Sequence, residues 1–150
     1  MTEEWRWTFE NLEAWKESRK LRVEISRLVK TFPKEEKYRL VDQMVRASRS
    51  VTANIAEGHG RFHYKENARF CRQARGSVFE LLDHLYVASD EKYITEETLI
   101  QFRDRITKVV KLINGYISYL NNLSKKKQTS VPHSSHSSHS SHSSPPPGGE

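Results

Sequence analysis

The sequence predicts an all-α fold, an antiparallel up-and-down four-helix bundle. Three observations predict it. The chain of 150 residues has only 6 glycines and 5 prolines, and two of the glycines and three of the prolines fall in its last six positions. Four stretches carry apolar residues at alternating steps of three and four, the period of one helix face. The links between these stretches are short, which places consecutive helices antiparallel. A chain of this length holds one domain with a single core.

The first helix is expected over about Asn11–Thr31, with Ala14, Ser18, Leu21, Ile25, Leu28 and Phe32 on its inward face. Phe32-Pro33 breaks it, because proline disfavours helical geometry in the residue before it and suits the first turn of a following helix. The second helix is expected from near Pro33 to Glu57, with an inward stripe of Tyr38, Val41, Met44, Val45, Ser48, Val51, Thr52 and Ile55. Gly58-His59-Gly60 is expected to end it through a left-handed glycine cap.

The third helix is read over Tyr64–Asp90, with Tyr64, Ala68, Cys71, Ala74, Val78, Leu81, Leu82 and Leu85 inward. Thr95 is a suitable N-cap for the fourth, and Glu96 and Glu97 complement its dipole. The fourth carries the cleanest pattern, namely Leu99, Phe102, Ile106, Val109, Ile113, Tyr116, Leu120 and Leu123. Residues 1–124 are thus assigned to the bundle. Residues 125–150 begin Lys125-Lys126-Lys127, continue as Ser-Ser-His repeats and end in Pro145–Glu150; they are read as a disordered tail with nothing to bury.

Lysine and arginine number 25 against 19 acidic residues, for a formal charge of +6. That excess admits an anionic partner without requiring one. One cysteine, Cys71, precludes an internal disulfide and fits a reducing cytoplasm. No membrane span or secretory leader is expected.

No phosphate loop, zinc helix or Cys-x-x-Cys pair occurs, and no Glu lies three residues before a His as a di-iron bundle requires. No enzyme, cofactor or metal centre is expected. His133, His136, His139 and His142 recur every three residues without a fold to fix a metal geometry. Cys71 sits in an apolar stripe and is read as structural.

The outward face of the third helix is more informative. Lys65, Arg69, Arg72 and Gly76 fall within a strip about 60° wide. Arg61 extends it, and Arg46 and Arg49 add cations on the second helix. Stacked cations suit a phosphate track, although a solvated basic face gives the same pattern. An exposed mid-helix glycine such as Gly76 costs about 1 kcal/mol against alanine, which makes sense where another backbone comes close. Leu12, Trp15 and Val23 fall opposite the first helix's core stripe, and Phe70 and Phe79 outside the third's. Together with Gly76 they are candidate subunit contacts, since aromatic anchors concentrate at interfaces.

Two segments, Ser50-Val-Thr-Ala-Asn-Ile-Ala-Glu-Gly-His-Gly-Arg61 and Arg69-Phe-Cys-Arg-Gln-Ala-Arg-Gly-Ser-Val-Phe-Glu-Leu81, resemble the four helix bundle protein family. Its members are encoded in intervening sequences of bacterial large-subunit ribosomal RNA genes, and it is similar to the accessory variability proteins of diversity-generating retroelements. The resemblance spans roughly Phe9 to Leu123. It implies a ring-like homopentamer around a channel, a basic surface that binds RNA or DNA, and, from the accessory proteins, a reverse transcriptase as partner. Asn54, Glu57, Gly58, Gly76, Ser77 and Glu80 match the family motif and are read as a helix end and a shared polar surface. Thr52 departs from it, standing where the family usually has proline. The function expected is a non-catalytic nucleic-acid-binding accessory protein. A protein-interaction scaffold is the alternative.

Overall fold

A computed structural model describes residues 8–130. Four α-helices follow one another: α1 (Glu13–Leu28), α2 (Leu40–His59), α3 (Tyr64–Asp90) and α4 (Glu96–Ser130). No strand occurs among the described residues. Each helix packs on its sequence neighbour, and α1 closes the bundle against α4. Cross-helix bonds fix the antiparallel sense. Ser50 pairs with Ser77 while Gly58 abuts Asn67 and Phe70. Arg103 donates to the Tyr86 hydroxyl while Arg75 donates to Asn114. Glu24 pairs with Arg105 and Glu17 with Lys108 across α1 and α4.

The expected stripes form the core. Ile25, Met44, Val51, Ile55, Cys71, Val78, Leu81, Leu85, Val109 and Ile113 are all but inaccessible to solvent. No buried side-chain nitrogen or oxygen among the described residues lacks a hydrogen-bond partner. Ser18 donates back to the Ala14 carbonyl at 2.6 Å, and Thr52 accepts from Arg22 at 2.9 Å. The Thr52 hydroxyl therefore ties α1 to α2, a link that a proline at this position cannot make.

Three boundaries differ from expectation, each for a local reason. The chain leaves Pro33 with extended geometry, makes one 3-10 turn over Lys34–Glu36, and enters α2 only at Leu40. The Glu36 carboxylate accepts the Leu40 amide at 3.1 Å and so fixes that start. Tyr38 precedes the helix and is 83% exposed rather than inward; Leu40 takes the core position.

Gly58 is not a left-handed cap, because no glycine among the described residues has a positive φ. It is a packing glycine. A Cβ there would stand 2.7 Å from Asn67 Oδ1 and 2.8 Å from Phe70 Cβ. Only a bare Cα lets α3 approach so closely.

Finally, α4 does not stop at Leu123 but continues to Ser130, so Lys125, Lys126 and Lys127 are helical. The run between Ser124 and Ser130 contains no glycine or proline, so nothing in it interrupts the helix. The Ser-His repeats lie outside the described residues. No helix among those described is long and apolar enough to cross a membrane.

Candidate nucleic-acid interface

The α2–α3 pair builds the face on which the candidate cations sit. Its seam is polar at mid-height, where Ser50 and Ser77 hydroxyls meet at 2.8 Å and Asn54 donates to the Ser50 carbonyl and hydroxyl. Gly58 closes one end of the seam against Asn67 and Phe70, and Asn67 in turn donates to the Tyr116 hydroxyl at 3.0 Å. The motif residues Asn54, Gly58 and Ser77 thus define how close these two helices lie and in what register.

Arg61, Lys65, Arg69 and Arg72 are all exposed along the outward face of α3 and the loop that precedes it. They are not equivalent. Arg61 pairs with Glu57 at 3.0 Å and approaches Glu66 at 3.9 Å, and Arg69 pairs with Glu66 at 3.7 Å. Both guanidinium groups also stand over the Phe70 ring, 5.3 and 5.1 Å from its centroid. Their charge is partly met locally, although exposed pairs of this kind hold weakly. Lys65 and Arg72 carry no ion pair to any described residue.

Arg46 and Arg49 lie elsewhere. Both precede Ser50 on α2, on the other side of the Ser50–Ser77 rung from the strip, and Arg46 is paired with Asp42 at 3.0 Å. By that register both stand farther along the seam than Arg72, the last cation of the strip.

The candidate subunit contacts divide in the same way. Val23, Phe79 and Gly76 are exposed, and a Cβ on Gly76 would meet nothing within 4 Å. Phe70 is corrected: it is only 7% exposed, buried against the last turn of α2 because Gly58 leaves room for it. Leu12 and Trp15 are partly buried against the core. Trp15 makes an edge-on contact with Phe9 at 5.1 Å and lies under the Arg19 guanidinium, so it already has partners within the chain.

Cys71 is fully buried, and that burial pushes its thiol up to about 11, with nearby Arg72 opposing the shift. It is a poor nucleophile there. Among the described residues no three His, Cys, Asp or Glu side chains converge as a metal site would need.

Two features escaped the sequence reading. Phe62 is 89% exposed and has a φ of 60°, a conformation disfavoured for a side-chain-bearing residue. The C-terminal turns of α4 reach the same end of the bundle, where His63, Tyr64, Lys65, Ser124, Lys127 and Gln128 line one shallow groove. The interleaving of Arg61-Phe62-His63-Tyr64-Lys65 was visible in the sequence. Placing Tyr64 in the core, where it is in fact 39% exposed, hid it.

Comparison with known proteins finds both a matching family model and similar solved structures. A family model described as 23S rRNA-intervening sequence protein matches residues 10–115. A crystal structure of a protein of unknown function from the S23 ribosomal protein family of Bacteroides thetaiotaomicron superposes with a TM-score of 0.65 at 24% identity, covering 70% of this chain and 95% of that one. At that identity it speaks for the fold alone. No curated protein matches.

Proposed function

The chain belongs to the 23S rRNA-intervening sequence protein family, and on that premise we propose that it is a non-catalytic nucleic-acid-binding protein that grips RNA or DNA by its phosphates. The observation that carries the reading is the exposed strip on α3, in which Lys65 and Arg72 have no carboxylate partner and Arg61 and Arg69 flank them. Unpaired cations on a rigid helix face suit a phosphate backbone, and binding releases counterions. The working form is a homo-oligomer, a pentamer by the family resemblance, with a reverse transcriptase as its protein partner.

Anisotropy titration of mixed-sequence RNA and DNA at several salt concentrations tests this. Affinity should fall steeply with salt, and Lys65→Gln with Arg72→Gln should flatten the log–log slope by about 0.7 to 0.9 for each phosphate no longer held. Absence of binding at low salt sinks the proposal. Native mass spectrometry tests the assembly, since a clean monomer of 17.6 kDa removes the pentamer.

The second reading is a protein-interaction scaffold. It draws on exposed Phe79, Ile100 and Tyr119, each more than half accessible. Retained oligomer with salt-independent partner capture and no nucleic-acid binding favours it.

A further inference from the structure

We propose that the end of the bundle formed by the Arg61–Lys65 segment, which spans the α2–α3 loop and the first residues of α3, and the last two turns of α4 binds single-stranded nucleic acid, with the Phe62 ring as a stacking platform for a base. The inference rests on the nucleic-acid reading above and adds to it a site, a strand form and a contact that the phosphate strip does not supply.

The first support is the state of Phe62. Its side chain is 89% exposed, the most exposed of the large apolar side chains among the described residues. Its backbone sits at a φ of 60°. Lys92 has nearly the same φ, 61°, but there the amides of Lys92 and Tyr93 donate to the Ser89 and Ala88 carbonyls and close the end of α3 as a Schellman cap. No such pair of bonds closes around Phe62: the α2 terminus is finished by the Gly60 and Arg61 amides before the chain reaches it. Strained backbone that holds an apolar ring in water gives folding nothing, and such strain concentrates at binding sites.

Charge is the second support. Arg61 precedes Phe62 in the chain, Lys65 follows in the first turn of α3, and the extension of α4 brings Lys125, Lys126 and Lys127 to the same end. Between Asp104 and Glu150 the sequence contains no acidic residue, so the charged side chains of this part of α4 are all basic. The nearest carboxylates, Glu57 and Glu66, are engaged by Arg61 and Arg69. Third, the groove lined by His63, Tyr64, Lys65, Ser124, Lys127 and Gln128 begins at the residue that follows Phe62 and holds a second, partly exposed aromatic side chain, Tyr64.

An aromatic face framed by flexible cations is the chemistry of single-strand binding, where bases stack and phosphates pair without sequence readout. A duplex hides its base faces, so the ring discriminates against it.

The test uses the full chain with a labelled oligouridine and a blunt RNA duplex at fixed salt. Phe62→Gly removes the ring and accepts the positive φ, so folding is not at risk. It should weaken oligouridine binding about tenfold, within the range that loss of one base stack produces, and leave duplex binding within twofold. Phe62→Trp should bind as the wild type does. If Phe62→Gly binds oligouridine like the wild type while Lys65→Gln with Arg72→Gln binds more weakly, the loop inference falls and the nucleic-acid reading stands. Equal weakening on both ligands, or a change in oligomeric state without nucleic acid, also overturns it. If the wild type binds neither ligand, both readings fail together.

Discussion

The two ends of the bundle are built on opposite terms. At the end that holds the α1–α2 link and the α3–α4 turn, every element is sewn to another. The Glu36 carboxylate accepts the Leu40 amide and the Tyr93 hydroxyl, each at 3.1 Å. The Phe32 and Tyr93 rings meet at 5.5 Å, and Phe32 and Ile94 are buried. The Thr95 hydroxyl caps the Thr98 amide to start α4. Charges there are mixed, with Lys34, Lys37 and Lys92 among Glu35, Glu36, Asp90 and Glu91. At the other end the connection is four residues long and carries an exposed ring in a strained conformation, and the cations Arg61, Lys65 and Lys125–Lys127 outnumber the carboxylates Glu57 and Glu66. Two loops of similar length in one fold therefore separate a structural end from one that folding alone does not explain.

The largest expected effect comes from the seam beneath the open end. Gly58→Ala drives a methyl group to within 3 Å of Asn67 Oδ1 and Phe70 Cβ. The helices must separate, and the cost should be about 1 to 3 kcal/mol, read as a lower urea midpoint at unchanged m-value. Gly60→Ala is the control, because its Cβ would meet only carbonyl oxygens at 3.5 Å or more. A neutral Gly58→Ala would show that the open end tolerates movement, and the contrast between rigid platform and protruding ring would weaken.

At the closed end, Glu36→Ala removes the α2 cap and the Tyr93 partner in one change. The expected loss is about 1 to 2 kcal/mol, in the range of other helix caps. Nucleic-acid binding should be untouched. A loss of binding with stability preserved would place the anionic ligand across both ends and dissolve the distinction.

Most of the fold was legible because the core pattern is dense. On α4 the heptad-like steps located Leu99, Phe102, Ile106, Val109, Ile113 and Leu120, all buried, and missed only Ile117, which shares that face. What failed was extrapolation past an element's end. Helical register carried back from α2 puts Tyr38 inward, but a 3-10 turn over Lys34–Glu36 intervenes, and a run from Lys125 with nothing apolar to bury reads as a disordered tail although α4 continues through it. Phe70 failed differently. Its wheel position is marginal, and only the missing Cβ of Gly58, a residue twelve positions away, makes it a core side chain. The candidate strip was legible as a row of cations but not as a set of unequal ones: Arg69 pairs with Glu66 one turn earlier on α3, a spacing the sequence does show, whereas the approach of Arg61 to Glu66 depends on the loop that joins the helices.

The smallest effects give the sharpest comparison, because they bear on the one feature that both ends share. Phe62 and Lys92 lie at the two ends of α3, about 40 Å apart for 27 residues of helix. They have almost identical φ values. Left-handed geometry costs a residue with a Cβ roughly 1 to 2 kcal/mol, and glycine escapes that cost while losing more chain entropy on folding. Lys92→Gly and Phe62→Gly should each therefore raise stability by about 0.5 to 1 kcal/mol, and at this separation the gains should add. Thermal and urea melts of the two single variants and the double variant measure it. The two changes should part company on binding: Lys92→Gly leaves it as it was, whereas Phe62→Gly weakens oligouridine. A Phe62→Gly variant that is less stable than the wild type would mean that the ring packs against something in the folded protein or its oligomer. The open end would then be as structural as the closed one, and its strain would be explained by packing rather than by a ligand.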